Sequence, residues 1–166
     1  MSAQILPVAV ESLPKSSSMR AAWMATLAKA DLADLEQFYQ VLGEVPAYQY
    51  LRSPEIGLTM VRGRIEGTGQ PFNLGEITLT RCVVQIVGAN SDETIAGFGY
   101  VAGRSQRHAE LAALYDALLQ HPDWHVTVWR EVMQPLQTAA QARSEQIQAQ
   151  VESTRVNFFT LKRGES

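Results

Sequence analysis

Six basic residues stand where they could grip an anion: Arg62 and Arg64 in GLTMVRGR, Arg81 in EITLTRC, and Arg104, Arg107 and His108 in GYVAGRSQRHAELAALYDALL. Strand alternation places Leu58, Met60, Arg62 and Arg64 on one face. The Arg62 and Arg64 guanidinium groups then lie about 6.6 Å apart along the strand and repel each other unless an anion lies between them. Arg104, Arg107 and His108 crowd the first turn of an amphipathic helix, where the backbone already carries positive partial charge. Helix start and guanidinium groups favour the same thing, an oxyanion, whether a phosphate or a partner's carboxylate. The plainer reading stays open at each position. Arg62 and Arg64 can be solvated strand ends answered by Glu66 or Glu76. His108, at the head of the stripe Leu111, Tyr115 and Leu118 with Leu114 beside it, can be a core histidine bonded to a backbone carbonyl.

Nothing else completes an active site, so no residue is assigned a catalytic role. His121 and His125 in HPDWH are half of a zinc site, Pro122 between them suggests a loop, and no metal is expected. The glycine-rich IEGTGQPFNLGE reads as a hairpin loop; it lacks both a Walker GK[ST] and a dinucleotide fingerprint. Cys82 is the only cysteine, which excludes an internal disulfide and fits a reducing cytoplasm.

The elements that must position these residues can be drawn from periodicity. With 166 residues, 46% hydrophobic and 19% charged, the chain forms a single domain spanning 19–166 after a disordered tail, 1–18. That tail, MSAQILPVAVESLPKSSS, lacks the basic opening of a targeting peptide. No stretch approaches a membrane span, and a net charge of −3 is too near neutral for a protein that coats nucleic acid or anionic membrane. Apolar residues at helical spacing predict a helix from Ser18 to Lys29 and a second from Asp31 until Gly43 stops it. Four strands follow, AYQYLR, GLTMVRGR, EITLTRCVVQIV and GFGYVAG, with antiparallel neighbours. In the third, apolar residues change phase between Leu79 and Cys82, which a bulge near Thr80 and Arg81 explains; a strand covered on both faces does so equally. Ser105 is a good N-cap for the helix that carries His108. A Gln/Ala-rich helix over 135–153 bears a thin stripe of Leu136, Ala140, Arg143, Ile147 and Val151, which points to a partner helix. Arg155, Phe158 and Phe159 in TRVNFFTLKRGES extend that docking surface. The fold class is thus α+β: a mostly antiparallel sheet of about four strands, an N-terminal helical hairpin, C-terminal helices and a C-terminal docking strand or extension.

Four separated segments, LRSPEIGLTMVRGR, EGTGQPFNLGEITLTRC, GYVAGRSQRHAELAALYDALLQ and TRVNFFTLKRGE, resemble in this order the G subunit of the bacterial carbon-phosphorus lyase system, PhnG. The resemblance covers roughly residues 20–165. It departs from the family's pattern at Ser105, where an Asp is usual, and at Glu66, where a glycine is common. It implies an accessory subunit of a cytoplasmic complex with H, I and J subunits, aided by an ATPase-like L subunit. That complex moves the ribose 5-triphosphate of ATP onto an alkylphosphonate with release of adenine. ATP is then a substrate of the complex, and this chain binds no cofactor of its own. Two other readings remain: a self-sufficient anion or nucleotide binder in which the six basic residues converge, and a helix-turn-helix DNA-binding regulator built on residues 18–42. The acidic second helix, with Asp31, Asp34 and Glu36, disfavours the latter.

Overall fold

The N-terminal helical hairpin is present as α1 (Ser16–Lys29) and α2 (Leu32–Leu42), with Gly43 closing α2 at a φ of +70°. The computed structural model describes residues 16–87 and 94–156, so α1 starts inside the segment expected to be tail, and residues 1–15 lie outside the description. Trp23, Leu27 and Leu35 are the hairpin's contribution to the core.

The sheet departs from the expected strand count. Among the described residues it has three strands in the order β1-β2-β3, all antiparallel: β1 (Tyr48–Arg64), β2 (Pro71–Val87) and β3 (Thr94–Ala102). AYQYLR and GLTMVRGR are one continuous strand. Pro54 and Gly57 read as breaks, yet β1 is an edge strand, and proline's missing N–H costs nothing where no neighbour asks for it. Register irregularities between Tyr50 and Arg52 and between Arg52 and Glu55 absorb the extra residues. The bulge expected at Thr80 and Arg81 is therefore displaced onto β1. β2 pairs with β3 without interruption from Leu79↔Ala102 to Val87↔Thr94. The change of apolar phase has another cause: Thr80, Cys82, Val84 and Ile86 are buried, whereas Ile77 lies beyond the core and is exposed.

Helix α3 (Gln106–Gln120) packs across the buried face of the sheet and is itself buried from His108 to Leu119 except at the half-buried Glu110. Its Ala109, Ala113 and Ala117 recur every four residues and form a small-residue stripe. Opposite lie Gly97 and Gly99 of β3. A Cβ on Gly97 would sit 2.0 Å from the Ala113 carbonyl oxygen, and one on Gly99 would sit 2.0 Å from that of Ala109. Helix and strand thus meet backbone to backbone.

The segment expected to be a loop around Pro122 is helical: α4 (Pro122–Val128) takes Pro122 at its first turn, where the ring fits and the missing N–H is no loss. His121 caps this helix, its Nδ1 accepting from Asp123 N at 3.2 Å. A π turn over Trp129–Met133 carries the chain into α5 (Gln134–Ser153). Val128, Val132, Met133 and Leu136 close the core, and from Gln137 onward α5 is exposed on every side. Phe158 and Phe159, with the expected docking strand, lie outside the described residues.

The tip of the β1–β2 hairpin holds a short 3-10 turn, Ile65–Gly67, in which Glu66 adopts φ +51° and ψ 23°. A left-handed conformation costs a residue with a Cβ roughly 1–2 kcal/mol. Glu66→Gly, which restores the residue common in the resembling family, is expected to leave the melting temperature unchanged or raise it by about 2 °C in a thermal melt.

Candidate functional site

The six anion-gripping candidates do not meet in one cavity. Arg62 and Arg64 are exposed near the tip of the β1–β2 hairpin, where Arg64 Nη1 donates to Gly69 O at 3.1 Å. Arg81 lies on the sheet face opposite buried Thr80 and Cys82, and its Nε donates to Glu55, which Arg52 also engages. Arg104 is exposed at the turn into α3. Arg107 donates to Glu110 Oε2 at 2.9 Å, approaches Glu36 at 3.8 Å and lies over the Tyr39 ring. His108 is buried, and its Nε2 donates to the Leu27 carbonyl at 2.8 Å, fastening α3 to α1.

Ser105 explains why α3 starts where it does. Its Oγ accepts from His108 N at 3.3 Å, so the serine supplies the capping oxygen that an aspartate would supply in its place.

One polar cluster is not revealed by the basic residues alone. Tyr48 and Tyr50 both donate to Glu110 Oε1, at 2.6 and 2.5 Å, while Arg107 holds the other oxygen. Alternation in AYQY puts both tyrosines on one side of β1, and Glu110 stands one helical turn after Arg107. These two spacings were the available signals. Burial pushes the Glu110 carboxyl up, but the Tyr48 and Tyr50 hydroxyls and Arg107 outweigh it and leave the group below its ordinary range. The same bonds push the tyrosines upward: Tyr50 to about 12, chiefly through its bond to Glu110, and Tyr48 still higher, chiefly through burial. Burial, then Glu110, raises the Cys82 thiol to about 11, so it is a poor nucleophile at neutral pH. The two tyrosines therefore keep their protons while Glu110 stays charged. The cluster fastens β1 to α3 rather than offering a general base.

A pH dependence follows. Because Glu110 titrates below its unfolded value, its contribution is fully present above the ordinary carboxylate range, near pH 4.3, and is lost as pH falls through the lower folded value. Thermal melts between about pH 6 and pH 3 should therefore show the wild-type chain losing more stability than Glu110→Gln. At pH 7 the variant should be less stable by about 1 kcal/mol.

A second buried network guards the outer edge of β3. Asp116, fully buried, accepts from Arg20 Nη2 at 2.7 Å, Trp23 Nε1 at 2.8 Å and Phe98 N at 2.9 Å. Gln120 Nε2 donates to Ala96 O at 3.1 Å. Two backbone groups of this edge, Phe98 N and Ala96 O, are thus taken up by side chains of α1 and α3. No cluster of three metal-ligating side chains occurs among the described residues, and His125 donates Nδ1 to Leu119 O at 2.6 Å while stacking on Trp129. Among the described residues no helix is long and apolar enough to cross a membrane.

Comparison with known proteins agrees with the segments singled out above. The family model described as phosphonate metabolism protein PhnG matches residues 18–164. A protein of Rhizobium meliloti (strain 1021), named alpha-D-ribose 1-methylphosphonate 5-triphosphate synthase subunit PhnG, is 35% identical over 142 residues, covering 86% of this chain and 87% of the relative.

Proposed function

The chain belongs to the PhnG family of phosphonate-metabolism proteins, and from that membership we propose that it is an accessory subunit of the carbon-phosphorus lyase core complex. There it is needed for ribose 1-methylphosphonate 5-triphosphate synthesis. In that reaction the bond between adenine and ribose carbon 1 of ATP breaks, adenine leaves, and a phosphonate oxygen takes its place on that carbon. ATP is a substrate of the complex, and this chain binds no cofactor itself. Its partners are the H, I and J subunits, with the ATPase-like L subunit acting functionally, in the cytoplasm.

The likeness to the synthase subunit over nearly its full length carries this reading. The state of the candidate residues supports an accessory part. Arg81 and Arg107 are answered within the chain, His108 is structural, and the Glu110 carboxylate is already committed to Tyr48, Tyr50 and Arg107.

Docking through the C-terminus is supported by α5. Beyond Leu136 its described residues are all exposed, and Ile147 and Val151 are 55% and 60% exposed. Arg155, paired with Glu152 at 3.5 Å, leads directly into the segment with Phe158 and Phe159. A helix so bare is expected to be buried by another chain. Removal of residues 155–166 is expected to abolish co-purification with the I subunit. Recovery of an intact complex from the truncated chain would refute the docking role.

A further inference from the structure

The sheet face that α3 covers continues beyond the helix. Gly103 N donates to Thr78 O at 2.9 Å and Thr80 Oγ1 to Gly103 O at 2.7 Å, which fixes where the chain leaves the sheet for α3. β3 ends at Ala102 opposite Leu79, but β1 and β2 stay paired as far as Arg64↔Pro71. Among the described residues the result is a two-stranded arm with neither a third strand nor a helix over it. Such a hairpin is marginally stable in water by itself.

This arm is apolar on the side that continues the core face. Register pairs Ile56 with Thr80, Leu58 with Thr78 and Met60 with Glu76, so Ile56, Leu58 and Met60 form one row, 48%, 66% and 47% exposed. Past a register irregularity between Val61 and Arg62, the exposed Arg62 and Arg64 follow at the end of β1, and Arg104 stands at the turn into α3. Among the described residues these three arginines form no ion pair, although Arg52, Arg81 and Arg107 all do. An apolar row bordered by unanswered guanidinium groups asks for an apolar surface bordered by carboxylates.

The layer above this face is helical, so a helix laid on Ile56, Leu58 and Met60 would extend it. The chain's own exposed α5 is a poor occupant. Its stripe includes Arg143, its Glu145 already accepts from Gln141 Nε2 at 2.7 Å, and its Glu152 is paired with Arg155. A second copy would therefore bring arginine against arginine.

We propose that the free arm of the β1–β2 hairpin is a docking site for an amphipathic helix of a different subunit, one whose apolar stripe is bordered by Asp or Glu. This deepens the accessory-subunit reading and rests on it. It adds a second contact surface, separate from α5.

The test uses the assembled complex, with a photo-crosslinking residue at position 58 of the full chain. The expected result is a crosslink to a helical peptide of another subunit that carries carboxylates beside its apolar stripe. A crosslink to a second copy of this chain, to a peptide without that pattern, or to nothing in an otherwise intact complex would overturn the proposal. Leu58→Glu with Met60→Glu is expected to cut recovery of the complex about tenfold or more. The melt of the isolated variant should match wild type, since both side chains are exposed. Arg62→Glu with Arg104→Glu should slow assembly and flatten its dependence on salt. Unchanged recovery with both pairs of substitutions would also overturn it. If the wild-type chain joins no complex at all, the accessory-subunit reading falls; if it assembles with the arm uncontacted, only the docking site falls.

Discussion

Gly99→Ala is expected to destabilise the fold by about 3 kcal/mol or more and to lower the melting temperature by about 10 °C. The added Cβ would lie 2.0 Å from the Ala109 carbonyl oxygen and 2.9 Å from Ala113 N. Both are backbone atoms of a buried helix, so no rotamer change relieves the clash, and Ala109→Gly would not rescue it. Helix and strand must separate, which opens the packing around Cys82, Leu111 and Leu114. Gly97→Ala meets the same obstacle at Ala113 O. Two controls give the contrast. A Cβ on Gly57 meets nothing within 4 Å, and one on Gly63 meets mainly the movable end of Leu74. Alanine at either position should shift the melt by about 2 °C at most. A comparable melt for Gly99→Ala and Gly57→Ala would mean that α3 does not sit directly on β3.

Asp116→Ala is expected to cost about 3–5 kcal/mol. The carboxylate holds Arg20 and Trp23 Nε1 of α1, Phe98 N of β3 and Gln120 Nε2 of its own helix, and has no exposed surface through which water could replace it. Truncation leaves the indole and the backbone N–H unsatisfied in the interior and removes the charge that holds Arg20 over Phe98. Asp116→Asn keeps the shape but turns an NH₂ toward one of these donors, so it should recover only part of the loss. Denaturant unfolding of both variants checks this. A cost below about 1 kcal/mol for Asp116→Ala would show that the network is not what holds α1, α3 and β3 together.

How far the sequence anticipates this architecture depends on which force sets each element. The helical hairpin is readable because apolar residues recur at helical spacing in both helices and Gly43 stops the second at a positive φ. The single long β1 is not, because Pro54 and Gly57 signal breaks unless one knows that the strand is an edge. The depth of α3 is only half readable. Leu111, Tyr115 and Leu118 announce one buried stripe, but Ala109, Ala113 and Ala117 gain meaning only from Gly97 and Gly99 across the interface, a pairing between distant segments.

The candidate site divides in the same way. Residue type marked Arg62, Arg64, Arg81, Arg104, Arg107 and His108, but chain neighbours do not reveal which guanidinium groups are already paired. Glu55 answers Arg81 from the neighbouring strand, and Glu110 answers Arg107 while accepting from two tyrosines far away in sequence. Of these six, the ones that form no ion pair among the described residues, Arg62, Arg64 and Arg104, lie at the β1–β2 hairpin and the turn into α3. That contrast between paired and unpaired arginines is a tertiary fact.

The central claim is that this chain completes a synthase without performing its chemistry. It is tested most directly by following adenine release from ATP in the presence of methylphosphonate, using the complex reconstituted with and without the chain and the chain alone. Release is expected only from the reconstituted complex that contains it, with the isolated chain silent. Turnover by the isolated chain, or full activity of the complex without it, would contradict the account.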